Sequence, residues 1–417
     1  MVRLSWFLAR RYLASRKRGR LLSFITWIAL GGITVGVTAL IVVIGVMDGM
    51  QKELQDKILG ATPHLVVLER GNSLRMSGWR DVAVRVQENT SVQAVTPFAL
   101  TKVMVIRGAD FAQALDLYGF DLGAPPEEAA TETEAELRRQ LSDLEATEGE
   151  LPPVVLGELN AARMGLFPGD TIFVIAVENM GFTPMGTLSP AIRRWVVAGT
   201  FGTGMYDYDM NNAYAPLEQV QSLLGMRTDD QVSGLGVRIV DPWVAEDVGI
   251  ALQAELGPLY YTESWITTNQ SLFSALRLEK LAMGVILFLI VIVAAFNIVS
   301  TLVMVVVDRT SEIGILKSMG MSDPQVLRVF VLQGFAIGVL GTFLGTSFGL
   351  ILSWILDRYE IIRIPPDIYF IERLPVSVDP VDIAIIVGGS LLISLVATIY
   401  PALQASRLEP VEAIKHE

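Results

Sequence analysis

The chain of 417 residues contains no cysteine and only two histidines. Without cysteine, no disulfide can stabilise a domain of this chain in any compartment, so packing alone must do so. No GxxxxGK[ST] segment occurs, which excludes nucleotide binding through a P-loop. His64 directly follows Pro63 and is interpreted as a structural residue rather than a metal ligand. The residues give no catalytic or metal-ligating constellation, and the sequence predicts a protein that is not an enzyme.

Charged residues are also scarce, at 18% of the chain, whereas soluble domains carry about a quarter. Four runs contain none, and each is long enough to cross the roughly 30 Å hydrocarbon core as a helix of about 20 residues. We therefore predict a polytopic α-helical membrane protein with four transmembrane helices and a large α+β domain between helices 1 and 2. The charge-free runs are Leu21–Met47, Leu281–Val307, Val329–Leu356 and Ile383–Ser406.

Residues 48–275 have the composition of a water-soluble domain. Runs rich in β-branched residues, such as His64–Glu69, predict strands, and Gly157–Met164 predicts a helix, but the strand order does not follow from the sequence. Helices are expected to continue out of the first span through Gln51–Leu59 and into the second through Leu272–Lys280. The predicted division is an N-terminal helix at 1–20, spans at 21–47, 276–307 (with its stalk), 329–356 and 383–406, the α+β domain at 48–275, a coupling segment at 308–328, a loop at 357–382 and a tail at 407–417.

The first 20 residues hold seven basic side chains and no acidic one. Positive charge beside a first span keeps that side in the cytoplasm, and four spans then return the C-terminus to the cytoplasm. Interleaved apolar residues predict an interfacial amphipathic helix, for which anionic lipid is a nearer partner than nucleic acid. Leu21–Met47 is longer than the roughly 7–15 apolar residues of a cleaved signal peptide. We expect a retained anchor and an extracytoplasmic domain.

Segment 125–150 carries nine acidic residues against Arg138 and Arg139. Such a charge run is typical of a solvated, poorly ordered insertion, and this interpretation is favoured over a binding tail. The middle of the segment, Glu134–Leu144, has the pattern of a surface helix.

Small residues recur at four-residue spacing inside the spans, which lets helix backbones approach closely. Asn297 is the clearest polar residue in an apolar run and is expected to face other helices, in a packing role rather than along a transport pathway. The glycines with this spacing are Gly32/Gly36, Gly334/Gly338 and Gly341/Gly345/Gly349.

Between the second and third runs, Asp308–Gly320 has the pattern of a short amphipathic helix that ends at Gly320. Ile313, Leu316 and Met319 are predicted to lie on one side of it. An apolar face outside any span needs a partner. The residues are compatible with two partners, the lipid surface and a groove on a cytoplasmic protein.

Several short motifs, each weak alone, occur in order along nearly the full length outside the acidic insertion. They are Arg10–Leu13, Leu22–Ile25, Val46–Met50, Ile58–His64, Phe296–Leu302, Glu312–Lys317, Tyr400–Ala402 and Glu409–Ala413. With this topology the chain resembles the LolC/LolE permeases of the lipoprotein-releasing ABC transporter, within the wider MacB/FtsX-type superfamily. The Thr62-Pro63-His64 segment favours this branch, and the lack of a fused nucleotide-binding domain excludes a MacB-like single chain.

The resemblance implies an inner-membrane permease that extracts acylated lipoproteins directed to the outer membrane and hands them to a periplasmic carrier similar to LolA. A dimer of a separate ATPase similar to LolD would bind ATP and Mg, so no cofactor would bind this chain directly. Mechanotransmission would pass through a coupling helix seated on that ATPase. Its implied residues are Ser311, Glu312, Ile313, Gly314, Ile315, Leu316, Lys317 and Met319.

The resemblance also implies a carrier-binding hook and a cavity for the lipid anchor. The hook segment lies between two predicted strands, as a protruding hairpin loop should, and the cavity is expected between the first and second spans. The hook residues are Phe182, Thr183, Pro184, Met185 and Gly186, and the cavity residues are Val42, Val46, Met283 and Leu287.

Two further questions stay open at this point. The hook is similar to LolC, whereas Asp367–Ile371 and the second-span motif are closer to LolE, so a homodimer of this chain is favoured over pairing with a paralogous permease. The alternative functions are a MacB-like permease for export of periplasmic peptides or toxins, and an FtsX-like regulator of a cell-wall hydrolase. The size of the domain at 48–275 argues against the regulator.

Overall fold

A computed structural model of the chain describes residues 20–71, 74–108, 111–123, 132–145, 151–182, 188–359 and 374–409. It divides into two compact units, one formed by the long apolar helices and one containing a β-sheet. Among the residues that the structure describes, four helices are long and apolar enough to cross a membrane, which agrees with the four charge-free runs.

The helices of the described residues fall into short ones within the sheet unit and long ones in the helical unit. In chain order they are α1 (Arg20–Ala61), α2 (Trp79–Gln87), α3 (Glu132–Glu145), α4 (Glu158–Met164), α5 (Tyr206–Asn211), α6 (Leu217–Leu224), α7 (Ala245–Leu256), α8 (Trp265–Thr268), α9 (Gln270–Asp308), α10 (Thr310–Ser318), α11 (Asp323–Tyr359) and α12 (Pro380–Ser406). The first, ninth, eleventh and twelfth are the candidate spans. As predicted, α1 runs unbroken past the first span, and α9 begins before the second.

The sheet unit is built on one mixed sheet. Its described strands are β1 (Leu65–Glu69), β2 (Val92–Arg107), β3 (Phe111–Phe120), β4 (Pro153–Gly157), β5 (Thr171–Phe182), β6 (Leu188–Phe201), β7 (Asn212–Pro216), β8 (Gly234–Ile239) and β9 (Tyr260–Ser264). They lie in the order β3-β7-β4-β6-β5-β2-β8-β1-β9, and β3 also pairs with β2. That extra pairing closes six strands into a ring, and β8, β1 and β9 extend from it.

The long strand β2 belongs to both parts of the sheet. Phe98 is paired with Phe120 of β3 on one side and with Gly234 of β8 on the other. Farther along β2, Val103 pairs with Ala176 of β5. Apolar side chains alternate along β2, as a strand with one face on a core requires. The ring and the extension are therefore joined through β2, and their buried side chains form one continuous hydrophobic core.

The structure contradicts part of the prediction for the acidic segment 125–150. Glu132–Glu145 is a helix, as the pattern of its middle indicated, but it is packed rather than poorly ordered. Leu137 and Leu141 are buried against Val155 and Phe201 of the ring. Arg238 of β8 pairs with Glu134 at 2.9 Å. The acidic residues dominate the composition, yet the apolar stripe at a spacing of four residues determines the packing.

In the helical unit the glycine pattern of α11 is explained by two neighbours. Side chains of α12 cover one pair of glycines, with Ser394 against Gly338, and side chains of α1 cover the others. An ideal Cβ on Gly345 would lie 2.7 Å from the Cβ of Val37. Thr38 donates a hydrogen bond from Oγ1 to the carbonyl oxygen of Gly345 at 3.0 Å. The prediction of close backbone packing is confirmed.

Asn297 also packs against a glycine. Its Nδ2 lies 3.1 Å from the position of an ideal Cβ on Gly32 of α1. The side chain therefore faces a neighbouring helix, as expected for a polar group in an apolar run.

Candidate functional site

The segment predicted to couple the protein to an ATPase is the helix α10 and its C-terminal turn. The helix ends where expected: Gly320 has φ of 100°, a conformation that glycine adopts readily. The amide of Met321 donates to the carbonyl of Leu316 at 3.1 Å, and that of Gly320 donates to Lys317 at 3.0 Å. These two bonds form a Schellman motif, which fixes the end of the helix.

The prediction that Ile313, Leu316 and Met319 share one apolar face of α10 is wrong for Ile313. Ile313 is 2% exposed and packs with Val306, Phe330 and Ala402 inside the helical unit. Met319 is 79% exposed. Two faces therefore exist: an inner one that anchors the helix to the spans, and an outer one. The exposed residues of the predicted coupling set are Ser311, Glu312, Ile315 and Met319.

Lys317 belongs to the inner side of the segment. Its Nζ donates to the carbonyl oxygens of Ser406 at 2.8 Å and Leu408 at 2.7 Å, and it lies 2.8 Å from a carboxylate oxygen of Asp323. Ser406 is the last residue of α12, Leu408 lies two residues beyond it, and Asp323 begins α11. A cation at a helix C-terminus and an anion at an N-terminus both oppose the helix dipoles favourably. Lys317 thus joins three helices through one ammonium group, which the sequence pattern did not indicate.

The predicted hook lies at the end of a β-hairpin. Strands β5 and β6 pair antiparallel as far as Phe182 and Leu188. The connecting residues, including Thr183, Pro184, Met185 and Gly186, lie outside the described residues, as does the side chain of Phe182. Their role in carrier binding stays a prediction.

A cavity of ≈ 250 Å³ lies among α1, α9 and α12 of the helical unit. Leu40 and Ile44 line it from α1, whereas Val42 and Val46 do not. Two positions along a helix turn the side chain by about 200°, so the predicted pair lies on another side of α1. Met283 does not line this cavity either, and the side chain of Leu287 is outside the described residues. The anchor-cavity assignment of these four residues stays a prediction.

The sheet unit contains a second cavity, of ≈ 470 Å³, between the ring and its extension. Aromatic rings line much of it, and the Glu134–Arg238 pair contributes charge. Tyr118 and Tyr214 stack with ring centroids 5.5 Å apart. Burial raises the pKa of Tyr118 to about 12, so its hydroxyl stays protonated even well above neutral pH. The sequence did not reveal this cavity because its walls come from strands that are far apart along the chain.

His64 is structural, as interpreted from the sequence. Its Nδ1 lies 3.0 Å from the carbonyl oxygen and 3.2 Å from the amide nitrogen of Ile239. Burial, with the nearby charge of Arg238, lowers the pKa of His64 below 6.5. Among the described residues no group of three or more histidine and acidic side chains could hold a metal ion.

Two family models match the chain. Residues 26–255 match the MacB-like periplasmic core domain, and residues 284–410 match the FtsX-like permease C-terminal region. The order of these regions corresponds to the first span with the sheet unit and to the three later spans. The two matches define the class: a MacB/FtsX-type permease, with a periplasmic core domain inserted after its first span.

Full-length relatives narrow this class. The chain is 32% identical to the lipoprotein-releasing system transmembrane protein LolC of Xylella fastidiosa, over 99% of both chains. It is 34% identical to LolC of Neisseria meningitidis over 100% of both, and 26% identical to LolE of Haemophilus influenzae over 98% of both. The chain belongs to the LolC/LolE family of lipoprotein-releasing permeases. It is a multi-pass protein of the inner membrane and a permease subunit of an ABC transporter.

Proposed function

We propose that this permease extracts acylated lipoproteins from the inner membrane and passes them to a periplasmic carrier similar to LolA. A dimer of an ATPase similar to LolD, which binds ATP and Mg, drives the step. The observation that carries the proposal is identity above 30% to LolC proteins along the entire length. The N- and C-termini lie in the cytoplasm, as the seven basic residues before the first span favour.

The two faces of α10 support the assignment of the ATPase contact. The inner face is held by the burial of Ile313 and by the three contacts of Lys317. The outer face presents Ile315 and Met319 without burial. A rigidly mounted helix with an exposed apolar surface can transmit a push from a bound protein to the spans. We therefore assign the outer face to the ATPase groove rather than to lipid.

The carrier contact is tested by photocrosslinking from Met185. A photoreactive amino acid at this position, in the full transporter with its ATPase, is expected to capture a carrier of the LolA kind. Phe167 is the control site, because it is 69% exposed and precedes β5 at the opposite end of that strand. Capture from both sites equally, or from neither while lipoprotein release proceeds, would contradict the hook assignment.

A second function has support from the match to the MacB-like periplasmic core domain. In that case the permease exports periplasmic peptides or toxins through an adaptor. The same crosslinking experiment separates the two, since capture of a tripartite-pump adaptor from Met185 would replace the lipoprotein assignment.

The permease is proposed to act as a homodimer. The chain has relatives named LolC and relatives named LolE, and it carries features of both. Two differently tagged copies of the chain, co-expressed with the ATPase, should purify together. A complex that contains one copy and a paralogous permease would exclude the homodimer.

A further inference from the structure

The cavity among α1, α9 and α12 is almost wholly apolar. Its walls are branched aliphatic side chains, with glycine at two positions, Gly36 and Gly389. At its α12 wall, Ser390 is hydrogen-bonded to Thr342 of α11 at 2.8 Å. Ser394 is the other hydroxyl in the lining, and a cavity with so few polar groups is a poor site for ordered water. The aliphatic lining residues include Ile33, Leu40, Ile44, Ile290, Ile298, Ile385 and Ile393.

The cavity has the length of one membrane leaflet. From Ile33 to Ile44 the helical rise is roughly 16 Å, and half of the hydrocarbon core is about 15 Å. Ile33, Ile298 and Ser394 lie near the middle of their charge-free runs, whereas Ile44 and Ile385 lie near the ends that adjoin the polar segments 48–275 and 357–382. The cavity therefore extends from the centre of the bilayer toward one surface, on the side where the sheet unit leaves the first span.

We propose that this cavity binds one acyl chain of a bilayer phospholipid from the leaflet on that side. In the hydrocarbon region acyl chains are the solvent, and they supply dispersion partners to walls that would otherwise lack them. The site differs from the predicted anchor cavity, because none of Val42, Val46 and Met283 lines it. The proposal does not depend on the lipoprotein function.

The glycines provide two matched pairs for the test. A Cβ on Gly389 or on the adjacent Gly388 would meet no atom within 4 Å, yet only Gly389 lines the cavity. On α1, a Cβ on Gly36 would lie 3.8 Å from Ile290, and Gly31 is open and outside the lining. Gly389→Leu and Gly36→Val fill the cavity from opposite walls, and Gly388→Leu and Gly31→Val add the same side chains elsewhere.

The probe is a phospholipid with a photoactivatable diazirine in one acyl chain, added below stoichiometry to the purified full-length permease in detergent. Adducts are mapped by mass spectrometry. We expect labelling of Ile290 and Ile393 to fall at least fivefold in Gly389→Leu and Gly36→Val, and to stay within twofold in the two controls. Unchanged thermal unfolding of each variant shows that it is folded, and if Gly389→Leu is not, Gly36→Val and its control carry the test.

Three results would overturn the proposal. The first is equal labelling of Ile393 and of the lipid-exposed Leu392 in every variant, which indicates general surface contact. The second is labelling by a diazirine-bearing acylated lipopeptide but not by the phospholipid, which assigns the cavity to the transported anchor. The third is disulfide crosslinking between two copies of the Gly389→Cys variant, which assigns the cavity to a second permease. Lipoprotein release is measured separately with the carrier, so a failed labelling test and a failed release assay are distinguished.

Discussion

At the scale of single residues, Lys317 shows how one charge can connect three helices. Its side chain is 11% exposed. Its ammonium group donates to the carbonyl of Ser406, the last residue of α12, and to that of Leu408 just beyond it, and the last carbonyls of a helix have no partner within the helix. Hydrogen bonds to a charged group contribute about 1.5–3 kcal/mol. The group is therefore expected to hold α10 in place on the ends of α11 and α12.

Replacing Lys317 with Met keeps the length and apolar stem but removes all three contacts. We expect a loss of about 2 kcal/mol in stability and a lower ratio of lipoprotein released to ATP hydrolysed. Lys317→Arg retains the charge and should recover part of both. Thermal unfolding in detergent and coupled ATPase and release assays measure the two effects. If Lys317→Met matched the unmodified protein in both assays, the three contacts would have no mechanical role.

His64 gives the sheet unit a pH-dependent stability. Since burial lowers its pKa in the folded state, the unfolded chain binds a proton first as the pH falls through 6.5. Its contribution is therefore complete above pH 6.5 and is lost below it. We expect His64→Asn, which retains an acceptor for the Ile239 amide, to reduce stability but to flatten its fall between pH 7.5 and 5.5. Urea unfolding at both pH values measures this, and parallel pH profiles of the two proteins would refute it.

At the scale of elements, α10 combines an anchoring face with an exposed one. Met319→Asp places a charge on the exposed face, where the side chain of Met319 is 79% exposed. We expect this variant to keep its thermal stability and to lose co-purification with the ATPase. Ser322→Asp adds the same charge just beyond the helix, at an exposed position, and should retain the ATPase. Loss of the ATPase from both variants would indicate that the added negative charge alone releases it. Retention of the ATPase by both variants would exclude the outer face as the contact.

Much of the element pattern follows from the sequence. The spans, α10 with its end at Gly320, and strands such as β1 are visible as charge-free runs, a capping glycine and β-branched segments. Other elements are not. Buried β4 (Pro153–Gly157) is a short apolar run that periodicity cannot assign, and the closure of the ring depends on the pairing of β3 with β2. The position of Ile313 could not be predicted because two partners compete for the apolar side of α10, and the spans are one of them.

At the scale of the whole molecule, two spans continue along the chain into residues of the sheet unit without a break. The helix α1 extends to Ala61, and α9 begins at Gln270. The helix α9 runs from Gln270 to Asp308 without a break. Two glycines inserted after Leu276 would interrupt it, because glycine in a helix interior costs about 1 kcal/mol each and adds backbone freedom. We expect ATP hydrolysis to continue while lipoprotein release falls at least tenfold.

The control for this insertion is the same pair of glycines after Asp229, in an exposed turn of the sheet unit. It should leave release unchanged. Normal release from the Leu276 insertion would show that a rigid α9 is not needed for coupling.

The order of the strands in the sheet also determines when the sheet can be completed during synthesis of the chain. Strand β1 leaves the ribosome early, but both of its partners, β8 and β9, come about 170–200 residues later. At about 5–20 residues per second, β1 waits on the order of ten seconds or more with unpaired edges and no disulfide to hold it. Its last partner ends at Ser264, six residues before α9 begins at Gln270. Completion of the sheet and insertion of the second span are therefore nearly simultaneous events in the biogenesis of this permease.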